Sequence, residues 1–138
     1  MLLVDTTVWI DFFRGDSSPH VGRLVHALAR GDDVCICGVV LTEILQGIRE
    51  DRDHRRVLSR LDPLLFLPMT RQTFVDAAGI YRTLRRKGVT IRRATDCLIA
   101  AVAIEHDVEL LHHDRDFDPI RKHCGLKVAV VDRTRRVP

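Results

Sequence analysis

No apolar run in this sequence is long enough to cross a bilayer: the longest, such as Cys97 to Ile104, fall well short of the ~20 residues a helical span requires. A secretory pattern is missing too. Met1-Leu2-Leu3-Val4 meets Asp5 at once, with no basic leader and no small-residue cleavage site, so no signal peptide is expected and the expected compartment is the cytoplasm. Cysteine is sparse: Cys35, Cys37, Cys97 and Cys124 match neither a disulfide framework nor a paired CxxC zinc site, and are expected to be reduced and mostly buried. Nor does one sign of charge dominate. The 22 Lys and Arg against 19 Asp and Glu leave a net +3, which admits a polyanionic partner without demanding one. Internal repeats, linkers and low-complexity tracts are absent. What remains is a chain of 138 residues, 46% hydrophobic, which can bury one core without staples and is too apolar for intrinsic disorder.

Short apolar runs alternate with helical periods along the chain. Leu2 to Val4 reads as a buried strand stopped by Asp5, followed by a helix to Phe13 that Thr6 or Thr7 would cap and Gly15 would end. Ser18-Pro19 opens an amphipathic helix whose Val21, Leu24, Val25 and Leu28 recur at helical spacing up to Gly31. Val34 to Cys37 is a second strand, leading through Gly38 into a helix with Val40, Leu41, Ile44, Leu45 and Ile48 apolar and Glu43 among them. The polar stretch Arg49 to Arg56 is expected to bend or extend that helix, which ends by Asp62-Pro63, before a third strand over Leu64 to Leu67. Thr70 would cap the next helix, with Phe74, Ala77, Ala78, Tyr81 and Leu84 inward and Arg82, Arg85, Arg86 and Lys87 at its exit. Thr95 to Glu105 is apolar on nearly every side, as a helix packed between layers would be. Val108 to Leu111 and Leu126 to Val131 read as the last two strands, around a short helix beginning near Pro119. Such alternation predicts an α/β fold, a mainly parallel sheet with helices on both faces and its site in the loops at the strand C-termini.

The acids fall where that site would be. Asp5 follows the first strand, Glu43 lies on the helix after the second, Asp96 opens the greasy helix, and Asp114 and Asp116 follow the fourth strand. Strand C-termini of a parallel sheet share one edge, so these carboxylates converge there although they are distant in sequence. Convergent carboxylates resist ionising together unless a cation or protons compensate. An all-oxygen set suits Mg²⁺ or Mn²⁺. Such ions, singly or as a pair, activate water and neutralise the charge that grows on a phosphodiester during displacement, which is nuclease chemistry.

Four short motifs in order resemble the PIN-domain ribonucleases, and most closely the VapC-like toxins of toxin-antitoxin pairs. They are Asp5-Thr6-Thr7-Val8-Trp9-Ile10-Asp11, Thr42-Glu43 followed by Gly47, Thr95-Asp96 followed by Ile99-Ala100-Ala101-Val102-Ala103, and Asp114-Arg115-Asp116-Phe117. The resemblance implies a PIN-like three-layer fold in a single domain over residues 1–132, with a basic tail over 133–138. It implies a Mg²⁺-dependent endoribonuclease, Mn²⁺ substituting, neutralised by a small antitoxin and forming a homodimer. Asp5, Glu43, Asp96 and Asp114 would be its metal-holding, catalytic acids, with the Thr7 hydroxyl near the site and Asp116 the alternative to Asp114. His112 stands where the family often carries Thr or Ser. Product ends would be 3′-hydroxyl and 5′-phosphate.

Plainer roles exist for the same residues. Asp5 alone fits a helix cap, Asp96 a first-turn carboxylate favoured by the helix dipole, and Glu43 needs a partner such as Arg. His112 and His113 would point to opposite faces on a strand, and neither is assigned to metal. Cys97 reads as a packed thiol, Trp9 and Phe13 as packing for the first helix. Arg92 and Arg93 flank Asp96 and could grip phosphates; Arg133, Arg135 and Arg136 could bind nucleic acid or keep the tail soluble. The competing function is a PIN-like RNA- or protein-binding module without turnover. A haloacid dehalogenase type of phosphatase is set aside because Thr7 occupies the position its second acid would need.

Overall fold

The computed structural model describes residues 1–134, so Arg135 and Arg136 lie outside the described residues. Its centre is a parallel sheet of four strands, β1 (Leu2–Val4), β2 (Val34–Cys37), β3 (Leu65–Leu67) and β4 (Glu109–Leu111), in the order β3-β2-β1-β4. Leu3 is the middle of the register, opposite Cys35 on one side and Leu110 on the other. Every residue of β1 and β2 is buried, as strands covered on both faces must be. The α/β expectation holds.

Local chemistry explains most helix limits. α1 (Thr6–Arg14) is capped by Asp5 rather than by Thr6 or Thr7: its backbone is extended and its carboxylate accepts from the Thr7 N–H, while Gly15 ends the helix at a φ of 80° that glycine adopts freely. Ser18 caps α2 (Pro19–Arg30) by accepting from the Val21 N–H at 3.3 Å. α3 (Gly38–Gln46) stops at Gly47, and the polar stretch after it forms a separate helix, α4 (Asp51–Leu61), rather than an extension. Asp51 and Asp53 occupy its first turn, where the dipole favours acids.

On α5 (Arg71–Arg86) the buried face is Thr73, Ala77, Ile80 and Leu84, and the expected inward Phe74 is 51% exposed. The polar residue sets the phase. Thr73 is drawn in because its hydroxyl donates to Glu105 Oε2 at 2.6 Å and accepts from the Thr70 N–H at 3.0 Å, a pull that hydrophobic spacing does not register. α6 (Ala94–Glu105) packs against α5 and α3 and is buried along most of its length. A single 3₁₀ turn (Arg115–Phe117) and α7 (Asp118–Cys124) follow β4. The expected strand over 126–131 shrinks, among the described residues, to one parallel bridge between Leu110 and Val128. Its two bonds, Leu110 N–H to Lys127 O and Ala129 N–H to Leu110 O, satisfy the backbone of Leu110 and no more of β4.

Candidate active site

Chain order runs β1, β2, β3 in one direction across the sheet and then returns to place β4 on the far side of β1. The switch point therefore lies between β1 and β4, where ligands of open parallel sheets bind. Asp5 leaves β1 there, its N–H bonded to Leu111 O at 2.9 Å so that the ladder continues into the loop. Asp114 and Asp116 leave β4 beside it.

Two adjacent threonines order the first acids. Thr7 Oγ1 donates to Asp5 Oδ2 at 2.6 Å, and Thr6 Oγ1 donates to Glu43 Oε1 at 2.8 Å, which ties α3 to the start of α1. The partner Glu43 needs is thus a hydroxyl. Asp96 stands in the first turn of α6, 4% exposed. Asp114 Oδ1 accepts from the Asp116 N–H at 2.9 Å and caps the 3₁₀ turn, whose Phe117 is fully buried and anchors it. Asp96, Asp114 and Asp116 each present an oxygen within 4.8 Å of the others.

The chain's own cations already lean on this cluster. Arg93 Nη2 donates to Asp114 Oδ2 at 2.9 Å, with its Nε 3.9 Å from Asp96 Oδ2, and Arg92 binds Asp116 Oδ2 at 3.0 Å. Both guanidinium groups are at least half exposed, so they screen the acids from the rim rather than neutralise them in the interior. Asp96 Oδ2 is still buried without a hydrogen-bond partner, because 3.9 Å is too long for one.

The electrostatic cost shows in the carboxyls. Burial, then the nearby Asp5, Asp114 and Asp116, pushes Asp96 up to about 7 against the opposing pull of Arg93. Asp5 is also raised, mainly by burial and further by Glu43, although the hydrogen bonds from Thr7 and Thr6 pull it down. An unpartnered buried oxygen within an all-oxygen, mutually repelling set fits a hard divalent cation such as Mg²⁺ or Mn²⁺. Cys97, beside Asp96, is a buried thiol pushed up to about 11 by burial and by Asp96, unsuited to act as a nucleophile.

Each acid singled out in the sequence lies at this edge, but they are not equally close. Asp96 gathers Asp114 and Asp116, while Asp5 and Glu43 form the adjoining pair held by Thr7 and Thr6. Sequence reasoning missed Thr6, whose signal was its place beside Thr7 directly after the first acid. Arg92 and Arg93, read from the sequence as a solvated face that could also grip phosphates, here pair with Asp116 and Asp114 at the rim. His112 and His113 escape strand alternation because β4 ends at Leu111; His112 Nδ1 accepts from the Asp114 N–H at 3.1 Å.

Fold and site together define a nuclease-type domain, and the match to the PIN domain model over residues 2–122 shows that the chain belongs to that family. Within it, the chain is 38% identical over 133 residues to Ribonuclease VapC11 of Mycobacterium tuberculosis, covering 94% of this chain and 98% of that one. Among solved structures it superposes on one of VapBC2 from Rickettsia felis bound to a promoter DNA fragment, with a TM-score of 0.74 at 18% identity, covering 95% of this chain and 98% of that chain. The VapBC-1 structure from nontypeable Haemophilus influenzae is similar, with a TM-score of 0.74 at 19% identity over 97% and 98% of the two chains.

Proposed function

We propose that this chain is a metal-dependent endoribonuclease of the cytoplasm, the toxin of a toxin-antitoxin pair held inactive by a small antitoxin protein. The observation that carries it is the convergence of five carboxylates at one sheet edge, with a buried Asp96 oxygen left unpartnered. The ribonuclease names of its relatives support the RNA substrate, and the VapBC structures that share its fold support a protein inhibitor.

Asp5, Glu43, Asp96 and Asp114 would hold Mg²⁺ or Mn²⁺, with Asp116 beside them. The cation would lower the pKa of water and offset the charge developing on the phosphodiester. Thr7 orients Asp5 through its hydroxyl and N–H on Oδ2, and Thr6 orients Glu43 through its hydroxyl on Oε1. One of these carboxylates would take the proton of the attacking water. Arg93, half exposed at the rim, is within reach of the substrate phosphate once it leaves Asp114.

The test is a cleavage map on total cellular RNA. Purified protein with Mg²⁺ should give discrete cuts with 3′-hydroxyl and 5′-phosphate ends, and EDTA, Asp5→Asn and Asp96→Asn should each remove them. RNA bound but uncut by the wild type would point to a binding module without turnover. Growth arrest on expression, relieved by the adjacent open reading frame, tests the toxin role. Sedimentation of the purified chain tests the homodimer, for which the exposed Leu65, Phe66 and Phe74 provide apolar surface.

A further inference from the structure

A cavity of about 480 Å³ adjoins the acid cluster through Asp114, which lines it together with His20, His112, His113, Arg115 and Arg133. That volume lies within the roughly 300–1,000 Å³ typical of small-ligand sites. The rings of His20 and His113 stack inside it, with centroids 4.0 Å apart and planes inclined by 13°. The stack is held from two helices. His20 rides the first turn of α2 behind Pro19, and His113 Nδ1 is 3.7 Å from Asp11 Oδ2 on α1. Burial, reinforced by His113, His112 and Arg133, lowers His20 to about 4, so its ring is neutral at pH 7 and backs the His113 ring as an aromatic partner. The His113 side chain is half exposed and keeps ring surface open to a further π-system.

A flat aromatic face beside two exposed arginines has a definite chemical complement. Bases stack on histidine as on other aromatic rings, and guanidinium groups take the phosphate. A metal ion is the poorer guest: among the described residues, the groups of three or more His, Cys, Asp or Glu with ligand atoms close enough to share an ion reduce to Asp96, Asp114 and Asp116. We infer that this cavity is a nucleotide subsite, in which one unstacked base lies on His113 while Arg115 and Arg133 hold its phosphate and the chain continues past Asp114 into the acid cluster. A base inside a duplex already has neighbours on both faces, so the subsite selects single-stranded RNA or a base splayed from a loop. Continuity with cleavage rests on the nuclease reading above; nucleotide binding in the cavity does not.

The experiment uses the whole chain in EDTA and follows the imidazole ring NMR resonances during titration with adenosine 5′-monophosphate, adenosine and inorganic phosphate in turn. The nucleotide should shift His20 and His113 saturably, the nucleoside should do so at higher concentration, and phosphate at matched concentration should not. His113→Ala should weaken nucleotide binding about tenfold, the scale of one lost base stack. His113→Phe, which keeps a ring, should bind as wild type, and Arg115→Gln should weaken the nucleotide but not the nucleoside. A single-stranded hexanucleotide should outcompete the same sequence as a duplex. Equal shifts with phosphate alone, wild-type binding by His113→Ala, or equal affinity for the duplex would each overturn the subsite. Because no metal is present, these outcomes are independent of turnover: a wild-type protein that bound but did not cut RNA would remove the nuclease assignment and leave the subsite standing.

Discussion

Asp96 is the acid of the cluster with a buried, unpartnered oxygen. Its folded-state pKa is raised from the ordinary 3.8 to about 7, chiefly by burial. The metal-free fold therefore binds a proton that the unfolded chain releases near pH 4, so the contribution is full below about pH 4 and is lost as pH rises through about 7. The Asp96 contribution should fall by roughly 2–4 kcal/mol between pH 5 and pH 8, read in urea titrations as the difference between wild type and Asp96→Asn at the two pH values, because His20, lowered to about 4, acts in the opposite direction and is common to both proteins. A proton is one compensation for the cluster and Arg93 is another. Arg93→Gln should lower metal-free stability at pH 8 by about 1 kcal/mol, and it should enlarge the thermal shift that Mg²⁺ produces, since cation and guanidinium neutralise the same oxygens. An unchanged Mg²⁺ shift would mean that Arg93 and the ion occupy separate places.

Elements here are positioned by a few polar contacts laid over apolar packing. Thr73 both closes the capping box of α5 and donates to Glu105 on α6. Thr73→Val keeps the volume and loses both bonds, an expected cost of about 1–2 kcal/mol by urea unfolding. The 3₁₀ turn after β4 behaves differently, since its anchor is Phe117, wholly buried, with the His112 ring 4.9 Å away. Phe117→Ala should cost about 3–5 kcal/mol. Phe117→Leu should keep the fold but weaken the Mg²⁺ thermal shift, because the same turn carries Asp114 and Asp116. At this scale periodicity in the sequence was informative for strands and for α2, whose Ser18, Pro19 and Gly31 act as their residue types prescribe. It misplaced Phe74 and Ala78 on α5, though not Ala77 and Leu84, and the continuity of α3 into α4, where hydroxyl bonding and a glycine break overrode apolar spacing.

For the molecule as a whole, the sheet order matters more than any motif, because it brings the ends of β1 and β4 together as the seat of the acids. The core beneath them is apolar and closed: Leu3, Leu110, Ala100 and Val102 are fully buried. Chelation should accordingly abolish RNA cleavage while leaving the far-ultraviolet circular dichroism unchanged, and loss of helical signal in EDTA would show instead that a cation is part of the fold.

The sequence by itself determined the strand and helix alternation, the buried character of β1, β2 and α6, and which acids end at the edge between β1 and β4, because apolar runs, caps and strand-terminal carboxylates are local properties of the chain. Only the tertiary structure decided which carboxylates touch, that Thr6 serves Glu43, that Arg92 and Arg93 lean on the acids, and that His20 meets His113. Those are contacts between residues far apart in sequence, whose distances depend on sheet order and helix phase, and neither quantity is encoded in any single segment.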